Sequence, residues 1–227
     1  MDEFPTISVI LLTYKRTDLA LRTIRGLGQY LAYPLEKVYF YVADDGSPRE
    51  HVDAILREIV NCGFCVLGYH NEKFSPGTTF PGKGWNLALQ IAHQKSPFVL
   101  VKEDDWELRR PLAISPYLRM LHDREDVGMV RLGHLAVGSK VEIVGYSGIH
   151  YLNYLRDTQY AYSGNPHIRH VRFSQAVGPF AEDKTPGEIE LDQDYKFRSN
   201  PNVPAIWRPA DIPGHGIFGH IGADKTW

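Results

Sequence analysis

The sequence predicts an α/β protein with a doubly wound, mostly parallel sheet, on three observations. Strand-like and helix-like segments alternate four times over roughly the first hundred residues. The polar residues with chemistry in them fall at the carboxyl ends of those strands: Thr13 and Tyr14, Asp44 and Asp45, Asn71, then Glu103, Asp104 and Asp105. Open α/β sheets bind their ligands there. Beyond about residue 110 the alternation loosens into a second portion of different character.

Each element follows from its pattern. Residues 6–12, TISVILL, are a β-branched apolar run and read as a buried parallel strand. Residues 13–30 carry apolar positions at helical spacing, with Thr17 or Asp18 as N-cap. VYFYVA (38–43) is a second strand closed by the turn sequence DDGSP. HVDAILREIV (51–60) is a helix and FCVLGYH (64–70) a third strand. A Gly- and Pro-rich loop (71–84) leads into the helix WNLALQIAHQK (85–95), and SPFVLVKEDD (96–105) is the fourth strand. PLAISPYLRMLHD (111–123) reads as helix and VGMVRLG (127–133) as strand. Residues 139–180 hold Tyr146, Tyr151, Tyr154, Tyr160, Tyr162 and Phe173, which suit short antiparallel strands around a shaped pocket. No repeat or linker interrupts the chain, so residues 1–227 are expected to form one domain, with a ligand-binding half to about 110 and a second half after it.

Composition sets the class. Hydrophobic residues make up 43% of 227, enough for a sizeable core. The 25 basic residues against 27 acidic ones leave no basic excess for nucleic acid. No apolar run approaches the roughly 18 residues of a membrane span, and MDEFPTISV has neither the basic nor the apolar region of a signal peptide. A soluble, cytoplasmic protein without an integral membrane segment is the expectation. The pair Cys62 and Cys65, in CGFC, follows a helix and precedes a strand, the reverse of a redox dithiol, and Gly63 reads as a helix terminator. No further ligands at zinc spacing lie nearby. HIRH (167–170) has a metal-compatible spacing in surroundings that read as strand.

The stretch LVKEDDWEL (100–108) brings three acids to the end of a buried strand. Strand alternation would send Glu103 and Asp105 one way and Asp104 the other. Carboxylates about 4 Å apart repel by roughly 4 kcal/mol at an effective dielectric of 20. A solvated turn or a divalent cation offsets that. Their position at the strand end favours a hard cation, Mn²⁺ or Mg²⁺, which takes carboxylate oxygens and leaves places for phosphates.

ISVILLTYKR, VADDGSP, GKGWNLALQIA and LVKEDD, in that order, resemble the nucleotide-sugar glycosyltransferases of the GT-A fold, family 2 above all, across residues 5–110 and more thinly after them. EDDWEL also resembles the EDD form in N-acetylglucosaminyltransferase I-like enzymes. The resemblance implies a GT-A, Rossmann-like sheet with a smaller C-terminal acceptor-side portion, a nucleotide-sugar donor, UDP-linked by family expectation, and a glycan or other hydroxyl-bearing acceptor. It places Tyr14 beside the base, Thr13 among the donor-binding residues, and Asp44 and Asp45 on uracil and ribose. Asn86 belongs to the Gly-rich helix start. The family's Arg just before it is Trp85 here, so Lys83, Lys15 or Arg16 would supply the phosphate contact. Asp105 would be the main metal ligand, with Glu103 beside it and Asp104 on the donor. His215, with His220 in reserve, would reach the metal or diphosphate. In GPFAEDKTPGEIELDQDYKFR, the spacing of Asp192, Asp194 and Arg198 resembles the family's D-x-D-L-x-x-R. Asp192, ahead of a helix, would be the general base of an inverting reaction, with Asp194 and Glu190 in reserve. Trp85 and Trp106 offer flat faces for a sugar or base.

Two other readings compete. A sugar-phosphate nucleotidylyltransferase shares such an α/β half but wants a Gly-rich loop after the first strand, and LLTYKR has no glycine. A non-catalytic module would hold nucleotide or glycan without turnover.

Overall fold

The computed structural model describes residues 4–74, 81–136 and 138–222. Its first half is the alternation expected: β1 (Ile7–Thr13), α1 (Thr17–Tyr30), β2 (Val38–Asp44), α2 (Arg49–Asn61), β3 (Cys65–Asn71), α3 (Gly82–Lys95) and β4 (Phe98–Glu103), with a short 3-10 turn (Leu35–Lys37) ahead of β2. Then follow β5 (Trp106–Leu108), α4 (Ser115–Asp123), β6 (Val127–Arg131), β7 (Val141–Tyr146), β8 (Ile149–Tyr154), β9 (His167–His170), α5 (Val171–Val177), α6 (Pro186–Ser199), β10 (Ala205–Pro209) and β11 (Phe218–His220).

One nine-stranded sheet, in the order β3-β2-β1-β4-β9-β6-β10-β8-β7, runs through both halves. β3, β2, β1 and β4 are mutually parallel. β9 then runs antiparallel to both β4 and β6, and β10 lies parallel to β6 and antiparallel to β8. The aromatic stretch thus gives antiparallel pairs, among them the β7–β8 hairpin. A second, two-stranded sheet pairs β11 with β5.

Strand alternation builds the two cores. Ile7, Val9 and Leu11 of β1 and Leu100 of β4 face Ile24 and Leu27 of α1 and Ile55 and Ile59 of α2. Ile10 of β1 and Val99 and Val101 of β4 face the other way, onto Ala88 and Ala92 of α3, Phe173 of α5 and Phe197 of α6. Each of these large apolar side chains contributes about 1.5–3 kcal/mol by leaving water.

Four local expectations change. The N-cap of α1 is Arg16 rather than Thr17 or Asp18, because Thr17 and Asp18 already have helical backbone. β4 stops at Glu103, and Asp104 and Asp105 form a turn. Strand alternation therefore ends at Asp104, and Asp105 turns back to the side of Asp104 instead of joining Glu103. α6 begins at Pro186 behind a Thr185–Glu188 capping box, so Asp192 lies inside the helix and not ahead of it. HIRH is strand, and Gly63 (φ +87°) ends α2 as expected, with Cys62 and Cys65 both free.

Candidate active site

The carboxyl ends of β1, β2 and β4 meet at one edge. Thr13 closes β1, and its buried hydroxyl donates to Asp104 Oδ2 at 2.9 Å. That hydroxyl has a single proton, so its 2.9 Å contact with His51 Nε2 is one in which the imidazole donates. His51 Nδ1 then accepts from Thr17 Oγ1 at 2.7 Å. Nε2 also lies 3.4 Å from Asp44 Oδ1. Burial lowers the His51 pKa against the pull of Asp44, consistent with this neutral tautomer. Sequence reasoning missed His51. Its signal was a histidine in the first turn of a helix directly after DDGSP.

The two acids of β2's turn have different surroundings. Asp44 is fully buried, and its carboxylate accepts from Gly46 N (3.0 Å), Ser47 N (2.7 Å) and Ser47 Oγ (2.5 Å). Asn71 turns its amide nitrogen to Asp44 Oδ2 at 2.8 Å. Gly46 (φ +84°) is needed here, since L side chains rarely adopt that backbone. Asp45 instead keeps a 32% exposed side chain with Lys73 Nζ at 3.9 Å. Burial raises its pKa, Lys73 lowers it, and Asp44 raises it further. Beside it the Tyr14 ring is 39% exposed, with Lys15 and Lys73 ammonium groups 4.8 and 5.7 Å from its centroid.

Arg16, at the start of α1, reaches both acids beyond β4. Its guanidinium pairs with Asp104 Oδ1 and, at 2.8 Å, with Asp105 Oδ2. Both aspartates are fully buried, and Arg16 is 29% exposed. Burial pushes the Asp104 pKa up to about 6, against the opposing pull of Arg16 and Thr13. On the same strand Lys102 is wholly buried, donates to Trp106 O at 2.8 Å, and is brought down to about 7 by burial despite the neighbouring acids. A lysine inside LVKEDD was its visible sign.

The C-terminal strand covers Asp105. Ile221 N donates to Asp105 O at 2.8 Å, and a Cβ at Gly222 would stand 2.5 Å from Asp105 Oδ2. This brings His220 Nε2 to 3.4 Å from that oxygen, with its ring 4.9 Å from Trp106. The late histidine at the acids is therefore His220, while His215 is exposed in the preceding turn.

The remaining predicted residues lie on the other face of the sheet. Glu103 lines a small cavity with Leu12, Trp85, Tyr162, Gly164 and Phe180. Asn86 is engaged by the loop before α6: its amide donates to Phe180 O (3.0 Å) and accepts from Phe180 N (2.9 Å). Trp85 packs edge-on against Phe180 at 5.5 Å. Lys83 is exposed in the first turn of α3, and residues 75–80 of the loop ahead of it lie outside the described residues. On α6, Asp192 is held by Lys184 (3.2 Å) and Lys196 (2.8 Å). Asp194 is buried, accepts from Tyr160 N (3.2 Å) and Tyr162 N (3.1 Å), and pairs with Arg198 (2.9 Å).

No protein-family model and no curated protein matches the sequence. Solved structures do match in shape. S. aureus TarS residues 1–349 in complex with UDP-GlcNAc aligns with a TM-score of 0.64 over 97% of this chain and 62% of its own, at 16% identity. The chain has the GT-A fold. A longer S. aureus TarS structure aligns with a TM-score of 0.62 over 91% of this chain and 35% of its own, at 17% identity. The mannosyltransferase PcManGT from Pyrobaculum calidifontis, in complex with GDP-Man and Mn²⁺, gives 0.59 over 89% of this chain and 56% of its own, at 15% identity. The chain thus spans between about a third and two thirds of these neighbours.

Within the GT-A fold, Arg16 tests whether the acids suit a cation. Asp104 and Asp105 are hard oxygen donors already drawn around one positive group. Two carboxylates suit Mn²⁺ or Mg²⁺ when phosphates and water complete the shell. Among the described residues no group of three His, Cys, Asp or Glu side chains could hold a metal ion alone. Nor is any described helix long and apolar enough to cross a membrane.

Proposed function

We propose that this chain is a glycosyltransferase that moves a sugar from a nucleotide-sugar donor to an acceptor hydroxyl with a divalent metal. One observation carries the reading: β1, β2 and β4 bring Tyr14, Asp45, Arg16, Asp104 and Asp105 to a single edge of a GT-A sheet. Such an edge is the ligand edge of open α/β sheets. The fold neighbours solved with UDP-GlcNAc and with GDP-Man and Mn²⁺ support the same donor class.

In this reading Tyr14 stacks on the base, and Asp45 accepts hydrogen bonds from base or ribose. Arg16, with Lys15, meets the diphosphate. Asp104 and Asp105 hold the metal, which supplies Lewis-acid stabilisation of the leaving diphosphate when bound. Thr13 and His51 fix the Asp104 carboxylate, and Asp44 fixes the turn that presents Asp45. A carboxylate of α6 takes the acceptor proton, and a single displacement inverts the anomeric carbon.

The Arg16 fork favours a second reading, in which the chain binds nucleotide without metal and without turnover. Calorimetric titration with UDP, GDP and dTDP, each with Mn²⁺ and then with chelator, tests both. Metal-dependent binding of one nucleotide supports the transferase. Metal-indifferent binding supports the module, and no binding at all overturns both.

A further inference from the structure

We propose that β7 is a dimerisation edge, on which a second copy of this chain pairs antiparallel about a two-fold axis through Ile143. The edge lies at the far end of the sheet from β1, β2 and β4, so the inference is independent of the transferase reading.

The hydrogen-bonding pattern of β7 can be read from both its ends. Ser147 and Gly148 join it to β8, with φ values of +49° and +79°. Two central residues with positive φ make a type I′ hairpin turn. The pair that flanks such a turn, Tyr146 and Ile149, is a hydrogen-bonded one. At the other end, one step beyond the Val141–Tyr154 pair, Leu155 N donates to Lys140 O at 3.1 Å. Hydrogen-bonded and non-bonded pairs alternate along a ladder. Lys140, Glu142, Val144 and Tyr146 therefore turn their N–H and C=O groups to β8, and Val141, Ile143 and Gly145 turn theirs outward. Among the described residues β7 pairs with β8 alone, so no strand lies beside these outward groups.

The side chains leave this edge open as well. Natural edge strands are blunted by proline, by a bulge or by a charge aimed outward. β7, VEIVGY, has no proline, and it pairs with β8 without a register shift. Its charges are turned to their own chain: Glu142 accepts from Asn153 Nδ2 at 2.6 Å, and Lys140 pairs with Asp157 at 2.5 Å. Ile143 is 73% exposed, the most exposed large apolar side chain among the described residues. It shares its face with half-buried Leu152, directly opposite on β8. The other edge of the sheet is built differently. Its register shifts between Phe40 and Tyr41 of β2, which leaves Leu67 as an extra residue in β3.

An axis through Ile143 satisfies the edge completely. Ile143 of one copy meets Ile143 of the other, and Val141 meets Gly145, so every outward N–H and C=O of these residues is paired. Leu152 and Ile143 of both copies line up in one aliphatic row. Glu142 faces Val144 and Lys140 faces Tyr146, so no like charges stand directly opposite. Neighbouring registers do worse. An axis through Glu142 sets that carboxylate against its own copy. An axis through Val144 sets Val141 against Ser147, which has left the strand. The two-fold pair also closes on itself, whereas β7 on the bulged β3 of a next copy would grow an open filament.

The test uses the full chain. Sedimentation velocity from about 1 to 200 µM spans the affinities of a small interface, and a monomer that becomes a dimer and nothing larger is expected. I143P removes an outward N–H where an edge strand tolerates proline, and I143K puts like charges across the axis. Each should weaken association by at least about tenfold and melt with wild type, and I143K decides the matter if I143P melts early. In hydrogen exchange the amides of Glu142, Val144 and Tyr146 should be protected at every concentration. Those of Val141, Ile143 and Gly145 should become protected only as the dimer forms. In a C62A/C65A background, I143C should close a disulfide between copies on mild oxidation, since hydrogen-bonded strand pairs stand about 5.5 Å apart at Cα. G145C, facing Val141, should not. A wild type that stays monomeric to about 200 µM overturns this pairing. So does a dimer that I143P and I143K leave intact, a species that keeps growing with concentration, or cross-linking through G145C instead of I143C. Outward amides already protected in the dilute monomer overturn it too, because another segment or ligand would then hold the edge.

Discussion

Arg16 Nη1 lies 2.8 Å from Asp105 Oδ2, and the same guanidinium also pairs with Asp104. One guanidinium thus bridges two fully buried carboxylates. A planar guanidinium spans two acids in a way that a lysine ammonium does not. In the proposed reaction the same two acids take a divalent ion, so Arg16 and metal compete for one seat. Release of Arg16 from the acids frees it for the donor diphosphate.

Removing Arg16 should therefore cost stability and improve metal binding. R16M takes the bridging guanidinium away from two buried carboxylates. Full burial of such a pair would put the loss at roughly 3–5 kcal/mol, and the 29% exposure of Arg16 reduces it to about 2 kcal/mol. Thermal melting with and without Mn²⁺ checks this. The variant should melt lower than wild type in chelator and gain more from Mn²⁺. Equal gains in the two proteins would mean that Arg16 and the ion do not share a seat.

The adjacent aspartates of the β2 turn should separate stability from binding. D44N removes the charge that accepts from Gly46 N, Ser47 N and Ser47 Oγ. Hydrogen bonds to a charged group are worth about 1.5–3 kcal/mol, so a loss of about 2 kcal/mol in urea unfolding is expected. Asp45 is partly exposed, with Lys73 Nζ 3.9 Å away. D45N should change stability by less than about 0.5 kcal/mol and weaken nucleotide binding about tenfold, the equivalent of one charged hydrogen bond. A D45N protein that binds nucleotide normally would remove Asp45 from the donor site.

These residues also mark what the sequence could and could not convey. The four-strand alternation was legible because β-branched runs and 3.6-residue spacing are local signals. The convergence of Thr13, Asp45 and Asp104 was legible because parallel β1, β2 and β4 must end at one edge. The turn at Asp104–Asp105 was not. Period-two alternation holds only while the strand continues, and β4 ends one residue before the aspartates. The role of Asp44 stayed hidden because DDGSP reads alike whether its first acid faces a ligand or its own turn. The position of Asp192 failed for a similar reason. The Thr185–Glu188 capping box starts α6 ahead of it, and that rotation aims Asp192 at lysines. His220 reaches Asp105 through pairing of β11 with β5, a contact between residues more than a hundred positions apart that no local pattern announces.

Histidines beside the β4–β9 seam, His93 on α3 and His167 on β9, should make the protein acid-sensitive. Burial lowers the His93 pKa to about 4, with the Arg169 charge adding to the effect and Ser96 O opposing it. His167 is brought down to about 3, by burial first and then by Arg169. Both are lowered in the fold, so their contribution is fully present above the unfolded value near 6.5 and is lost as pH falls toward 4 and then 3. Protonation of the unfolded chain should remove about 1.4 kcal/mol per pH unit for each histidine, reaching about 3 kcal/mol for His93 near pH 4. Urea unfolding at pH 7, 6 and 5 should show this slope, and H93Q should lessen it. An unchanged slope in H93Q would place the acid sensitivity elsewhere.

Arg169 is the least satisfied charge in that seam. It is fully buried on β9, and among the described residues none of its three side-chain nitrogens meets a hydrogen-bond acceptor within normal geometry. Its guanidinium lies 5.2 Å from the Phe173 ring centre and 5.6 Å from that of Phe180. Burial lowers its pKa, with the Tyr162 hydroxyl opposing. Cation–π contact with two phenylalanines recovers about 1–2 kcal/mol each at most, less than the several kcal/mol that desolvating the ion costs. R169M keeps the long apolar stem and removes the charge, so stability at pH 7 should hold or rise by about 1–2 kcal/mol. The same substitution withdraws a positive neighbour from His93 and His167. Their folded values should move up toward 6.5, and the acid slope should flatten along with the gain at neutral pH. Nuclear magnetic resonance titration of the histidine rings, read beside urea unfolding, measures both. A destabilised R169M with unmoved histidines would mean that Arg169 has a counter-charge in solution and that the seam depends on it.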